Sequence, residues 1–306
     1  MTPVIVGPEI EPQLDWLELI AALDAGHRRP KAKIADSFLY RDTETLLSRS
    51  AWIDGLGSVV KTATIFPKNS TRNLPNVNGA VTLFSDETGE LAALVDFHLV
   101  TRWKTAGDSL LAAHRLARPD SRRITLIGAG AVARSMHDAY SALFPDAEFT
   151  VWNRSPQAAQ DMARTLPRCT ATPDLQSAVG QADIICTATM STEPVLQGAW
   201  LRPGQHVDLI GAFRPDMREA DDNALRRAAL FVDSFDTTLD HIGELKIPLA
   251  KGVIQRSDIQ DDFYGISAGG FTRPSESAIT ICKNGGGAHL DLMVSQYILD
   301  KWRKAV

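Results

Sequence analysis

The stretch that most restricts the fold is RITLIGAGAVARSMHDAYSALF, residues 123–144. A short apolar run enters a Gly-x-Gly-x-x-Ala motif, Gly128, Gly130 and Ala133, and a helical pattern follows at once. Each small residue has a task in that setting. Gly128 allows the tight turn, Gly130 leaves the backbone bare for a pyrophosphate, and Ala133 lets helix and strand pack closely. The first helical turn adds free amides and a partial positive charge. Downstream, EFTVWNR (148–154), ADIICTAT (182–189), HVDLIGAF (206–213) and ALFVDSF (229–235) are short apolar strands, spaced to leave room for helices. Alternation of strand and helix predicts an α/β fold with a doubly wound parallel sheet of the Rossmann kind.

The first hundred residues have another texture. LDWLELIAALDA (14–25) has apolar residues at helical spacing, and GSVVKTATIF (57–66), AVTLFSD (80–86) and LAALVDF (91–97) read as strands. Between the first two, PKNSTRNLPNVNG (67–79) reads as loop. The pattern predicts an antiparallel or mixed β region behind an opening helix, then a long helix from about Thr105 to Leu116. The end of the chain, SAITICKNGGGAHLDLMVSQYILDKW (277–302), reads as a glycine loop feeding an amphipathic helix. We place an α+β domain at 1–117 with 283–306 and the dinucleotide domain at 118–282.

Composition removes several function classes. A net charge of −5 without a basic block argues against nucleic acid. No apolar run approaches the ~20 residues of a membrane span, and the opening MTPVIVGPEIEPQLDW does not read as a signal peptide. Cys169, Cys186 and Cys282 are few and far apart, which fits a reducing cytoplasm and neither a disulfide frame nor a metal site. H-E-x-x-H and G-x-S-x-G are both missing, so hydrolysis by metal or serine has no support.

The second Rossmann strand bears on the cofactor. It ends in Asn153-Arg154-Ser155, where an NAD site usually has a carboxylate for the ribose hydroxyls. A carboxylate repels a 2′-phosphate; an arginine and a hydroxyl bind one. We therefore expect NADPH over NADH. Outside this domain, Lys61 sits mid-strand among apolar residues, either as a partnered buried cation or as an edge lysine reaching solvent. Lys104 and Thr105, expected just before the long helix, are placed to meet a cofactor phosphate or a substrate carboxylate. Phe213, at the tip of an apolar strand, is either a wall beside a ligand or a core plug. His289 and Asp291 read as structural hydrogen-bonding residues.

Taken together, KTATIFPKN, TRWKTAGDSLLAA, LIGAGAVA, VWNRS, GAFRPDMREADD, FVDSF and CKNGGGAHLDLM resemble the ornithine cyclodeaminase/mu-crystallin family over almost the whole chain. The resemblance implies an NAD(P)-dependent homodimer with a substrate and dimerisation domain beside a Rossmann domain. It implies that Lys61 holds or activates the substrate near its carboxylate. Lys104 stands where the family has an arginine, a point charge in place of a bidentate fork. A further family arginine falls on Lys33, and Gly285 joins the substrate set. The implied cofactor positions are Asn76, Lys104, Thr105, Gly128, Gly130, Ala131, Val132, Asn153, Arg154, Ser155, Thr189, Ile210 and Asn284. Cyclodeaminases carry an aspartate where this chain has Phe213, whereas the mu-crystallin-like ketimine reductases lack it and share WNR and GA-x-RPD-x-RE-x-DD with this chain. The expected activity is reduction of Δ1-pyrroline-2-carboxylate and Δ1-piperideine-2-carboxylate. The alternatives are an ammonia lyase acting on ornithine, a keto-acid amino-acid dehydrogenase and a non-catalytic NADPH-binding protein.

Overall fold

The computed structural model describes residues 2–72 and 74–305. Its helices are α1 (Trp16–His27), α2 (Phe97–Leu116), α3 (Ala131–Leu143), α4 (Pro156–Thr165), α5 (Leu175–Gln181), α6 (Asp222–Arg227), α7 (Phe235–Thr238), α8 (Gly243–Ala250) and α9 (Ala288–Ala305). The chain divides into two compact units. One comprises residues up to 104 and those from 287 onward, and the other is 105–286. The changeovers fall inside α2 and inside the run of three glycines at 285–287. The sequence reading draws them at 117/118 and 282/283, at the ends of that helix and of the last strand.

The first unit is a six-stranded sheet, β1 (Val4–Val6), β2 (Lys33–Arg41), β3 (Glu44–Ile53), β4 (Gly57–Ile65), β5 (Val77–Phe84) and β6 (Leu91–Val95), in the order β1-β6-β5-β4-β3-β2. All pairings are antiparallel except β1 with β6. Alternation buries one face, with Val59, Ala63, Val81, Leu83, Ala93 and Val95 turned inward. α9, which buries Leu290, Leu292, Val294 and Ile298 among others, packs on β3 and β4. Asp15 caps α1, accepting 2.9 Å bonds from the amides of Leu17 and Glu18.

Three expectations in this unit are corrected. Strands β2 and β3 form a long hairpin that the sequence does not advertise, because Asp36, Arg41, Asp42, Glu44 and Arg49 interrupt its apolar alternation. The supposed loop 67–79 holds a 3-10 turn at Pro67–Arg72 and the first three residues of β5. The long helix starts at Phe97, eight residues earlier than expected, because the Asp96 carboxylate accepts from the Leu99 amide at 2.7 Å and supplies the start signal. Lys104 and Thr105 therefore lie within the helix, not ahead of it.

The second unit is an all-parallel eight-stranded sheet. Its strands are β7 (Arg123–Ile127), β8 (Glu148–Trp152), β9 (Cys169–Ala171), β10 (Ile184–Thr187), β11 (His206–Leu209), β12 (Ala229–Val232), β13 (Ile259–Asp261) and β14 (Thr280–Lys283). They lie in the order β13-β12-β14-β11-β10-β7-β8-β9. From β7 the chain steps outward to β8 and β9, then returns to place β10 and β11 on the other side. The order reverses between β7 and β10, which is where open α/β sheets bind dinucleotides. Strand β14, expected as loop, is buried between β11 and β12. Among the described residues no helix is long and apolar enough to cross a membrane.

Candidate functional site

In the first unit the expected substrate lysine is buried. Lys61 is 6% exposed and occupies the inward register of β4, an interior strand, so the edge-lysine alternative does not hold. Its Nζ donates to Asp291 Oδ1 at 2.8 Å and to Thr101 Oγ1 at 2.8 Å. It also lies 4.8 Å from the centroid of the Phe97 ring. Gly79 makes room for that ring, since a Cβ there would meet the Thr62 carbonyl oxygen and Phe97. Phe97, Thr101 and Lys104 stand at i, i+4 and i+7 of α2 and so share one helix face. Arg49 is the register partner of Lys61 on β3 and pairs with Asp36 at 2.7 Å.

Three cations, Lys61, Lys104 and Arg49, thus act on one buried carboxylate, Asp291. Burial, the largest influence, works to raise the Asp291 carboxyl, but the three cations hold it below its usual value. Burial also dominates at Lys61 and draws its ammonium below the usual lysine range, against the pull of Asp291. The expected Lys33 is not brought here. It is exposed on the edge strand β2, three residues from Asp36 and therefore on the other face of the sheet. The cation beside Lys61 in register is Arg49. Asn76 is exposed just ahead of β5, its carbonyl accepting from the Phe66 amide at 2.7 Å.

In the second unit the cofactor candidates gather at the carboxyl ends of the parallel strands. Gly128 has φ +121°, and a Cβ there would lie 2.6 Å from the Ala188 carbonyl oxygen, so β7 and β10 approach too closely for any other residue. Gly130, the N-cap of α3, faces open space. Gly130 and Ala131 are exposed and Val132 is half-buried, while Ala133 is buried as expected. A pyrophosphate fits this cradle, since the α3 amides have no side-chain cap. At the end of β8, Arg154 and Ser155 are exposed and Asn153 half-buried. Ser155 caps the ten-residue α4 without a side-chain hydrogen bond, leaving its hydroxyl, the helix amides and the Arg154 guanidinium for an anion. Thr105, Thr189 and Ile210 are half-buried. Phe213 is 59% exposed, so it is not a core plug.

Two candidates are occupied structurally. The Asn284 amide donates at 2.8 Å to both Ser109 Oγ and Asp208 Oδ1, so its side chain points into the fold. Gly285 is fitted against Thr238, whose Oγ1 would lie 2.3 Å from an added Cβ. The sequence reading missed Glu219. It is fully buried and its carboxylate accepts four bonds: from Thr189 N and Oγ1, both at 2.7 Å, from Gly211 N at 2.7 Å and from Ala212 N at 3.2 Å. It therefore ties the loop after β10 to the loop after β11. Gly211 allows this, because a Cβ there would meet Thr189 backbone atoms at 2.2 and 2.3 Å. Glu244 supports Glu219 in turn, accepting from its amide at 2.6 Å. The sequence offers no signal for it, because the charged stretch RPDMREADD reads as an exposed acidic helix start.

The sequence pattern of the ornithine cyclodeaminase/mu-crystallin family matches residues 53–305. The chain belongs to this family. A relative within reach of direct comparison is the Delta(1)-pyrroline-2-carboxylate reductase of Paracoccus denitrificans (strain Pd 1222), 53% identical over 292 residues, which are 94% of this chain and 92% of that one. Among solved structures, the Thermococcus litoralis Delta(1)-pyrroline-2-carboxylate reductase in complex with NADH and L-proline superposes with a TM-score of 0.89 at 26% identity, over 98% of both chains. An archaeal alanine dehydrogenase dimer with bound NAD superposes equally well, with a TM-score of 0.90 at 27% identity over 100% of this chain and 98% of that one. Similarity of fold therefore does not by itself separate a pyrroline-2-carboxylate reductase from an alanine dehydrogenase.

Proposed function

We propose that this chain reduces the C=N bond of small cyclic imino acids, Δ1-pyrroline-2-carboxylate to proline and Δ1-piperideine-2-carboxylate to pipecolate, using NADPH in preference to NADH. The observation that carries the reading is the buried Lys61, held by Asp291 and Thr101 with the cations Arg49 and Lys104 beside it. An ammonium held away from water with a third N–H to donate suits a small anion, and an imino acid brings one carboxylate. Residues up to 117 and from 283 are read as the substrate and dimerisation domain, and 118–282 as the cofactor domain.

A lysine ammonium has three donors. Lys61 commits two, to Thr101 and Asp291, and offers the third to the substrate carboxylate. The bound nicotinamide supplies hydride to the imine carbon. Gly128 and Gly130 admit the pyrophosphate, and Arg154 with Ser155 and the start of α4 takes the 2′-phosphate. Phe213 offers an apolar ring where a cyclodeaminase has a carboxylate, which suits a substrate whose ring is already closed. The imine nitrogen arrives protonated or draws its proton from Lys61 or from water.

The homodimer reading is supported by Phe38, Leu39 and Tyr40 on the edge strand β2, apolar residues exposed at 48%, 66% and 74%. The free thiols fit the reducing cytoplasm expected above. The test is NADPH oxidation with each cyclic imine, run beside pyruvate with ammonium and beside ornithine with NAD⁺. Turnover confined to the imines supports the reading; turnover confined to pyruvate or ornithine rejects it.

A further inference from the structure

Resting on the reading that Lys61 meets the substrate, we propose that Asp291 is the positioning residue of that lysine, holding it charged inside an apolar layer and turning its third N–H away from the protein. Asp291 is 0% exposed, so no ligand touches it directly and it acts through Lys61. Its Oδ1 takes the lysine at 2.8 Å, while its Oδ2 is buried with no hydrogen-bond partner among the described residues. A carboxylate with one oxygen unsatisfied away from water is costly to keep. Leucine would fill the same helix position without that cost. What the carboxylate provides is charge beside Lys61.

The groups that face Lys61 come from every element around it. Arg49 on β3 and Lys104 on α2 are cations that oppose its charge, and burial opposes it more strongly. Strand β5 offers only Val81 in register, and α2 also contributes the neutral Thr101 and Phe97. Asp36 on β2 pairs with Arg49, while Asp291 on α9 supplies the negative charge at Lys61 itself. Without it, an ammonium among two cations and apolar walls loses its proton more readily, and a neutral amine no longer holds a carboxylate firmly. Thr101 fixes direction and not charge, since its hydroxyl donates to the Phe97 carbonyl at 2.7 Å and accepts from Lys61.

The experiment compares Asp291→Asn with Thr101→Val in the full-length protein, by kcat/KM for the cyclic imines against pH and by acetic anhydride labelling of Lys61 read by mass spectrometry. Asp291→Asn is expected to move the alkaline limb of kcat/KM to lower pH, with a loss of at least ~10-fold near pH 8 that is partly recovered near pH 6. It is also expected to lower the pH at which Lys61 becomes reactive. Thr101→Val is expected to reduce kcat/KM with the limb in place, and it tests the directional half of the proposal even if Asp291→Asn does not fold. An Asp291→Asn profile parallel to that of the wild type, with unchanged labelling, overturns the proposal. If the wild type turns over no imine but labelling still shifts in Asp291→Asn, the substrate reading fails and the role of Asp291 stands.

Discussion

Lys61 and Asp291, 230 residues apart in the chain, meet at 2.8 Å on the buried face of one sheet. One belongs to an interior strand and the other to the last helix, so the pair forms only when the end of the chain packs on β4. Lys61→Met keeps an unbranched side chain, one atom shorter, and removes its charge. It is expected to leave NADPH affinity nearly unchanged and to lower turnover at least ~100-fold, or about 2.7 kcal/mol of transition-state stabilisation. Steady-state kinetics with the cyclic imines and a cofactor titration check this; near-wild-type kcat/KM would remove Lys61 from the site.

The proposed preference for NADPH turns on Arg154, exposed beside the uncapped start of α4. Arg154→Ala is expected to weaken NADPH by about 1.5–3 kcal/mol, the value of a hydrogen bond to a charged group, and to leave NADH almost untouched. Equal losses for both cofactors in a fluorescence titration would remove the 2′-phosphate from this position.

Glu219 braces two loops that carry expected cofactor residues. Glu219→Gln replaces an acceptor by an amide that faces amide donors from Thr189 or from Gly211 and Ala212. An unsatisfied buried group costs about 1–3 kcal/mol, so the KM for NADPH is expected to rise by roughly 5- to 150-fold, with a smaller change in the KM for imine. A variant affected only in thermal stability would show that the brace does not act on the cofactor.

Burial pushes the Glu244 carboxyl up to about 7, and the neighbouring Glu219 adds to the push. An unfolded glutamate titrates near ~4.3, so the folded state holds this proton more tightly. That contribution to stability is complete below the unfolded value and is lost as the pH rises through about 7, to a total on the order of 3 kcal/mol. Asp208, raised to about 6 by burial, acts in the same direction. Thermal melts at about pH 5 and about pH 8 are expected to differ less for Glu244→Gln than for the wild type. An identical pH response in both would assign the titration to other groups.

The parts of the fold that could be read from the sequence were those with regular apolar spacing. β7 with its glycines and α3, and the strands β8, β10, β11 and β12, all have it. The hairpin β2–β3 does not, because a half-solvated strand carrying Asp36, Arg41, Glu44 and Arg49 has no clean alternation. β14 was hidden by its short length and by Lys283, which is fully buried because its ammonium donates to the carbonyls of Leu209 and Asn284. At the candidate site, Lys61 stood out as a charge inside an apolar strand. Asp291, Arg49 and Glu219 did not, since each acquires its meaning from a partner brought by register or by distant chain. The start of α2 depended on a single capping bond from Asp96, which a run of mixed residues does not reveal.

The most direct test of the account is a count of products. Purified protein is given NADPH and Δ1-pyrroline-2-carboxylate, and proline formed is measured against NADPH consumed, with ornithine and NAD⁺ in a parallel sample assayed for ammonia. The account predicts one NADPH oxidised for each proline formed and no ammonia from ornithine. Ammonia released from ornithine with no net change in cofactor, and no proline from the imine, would contradict it.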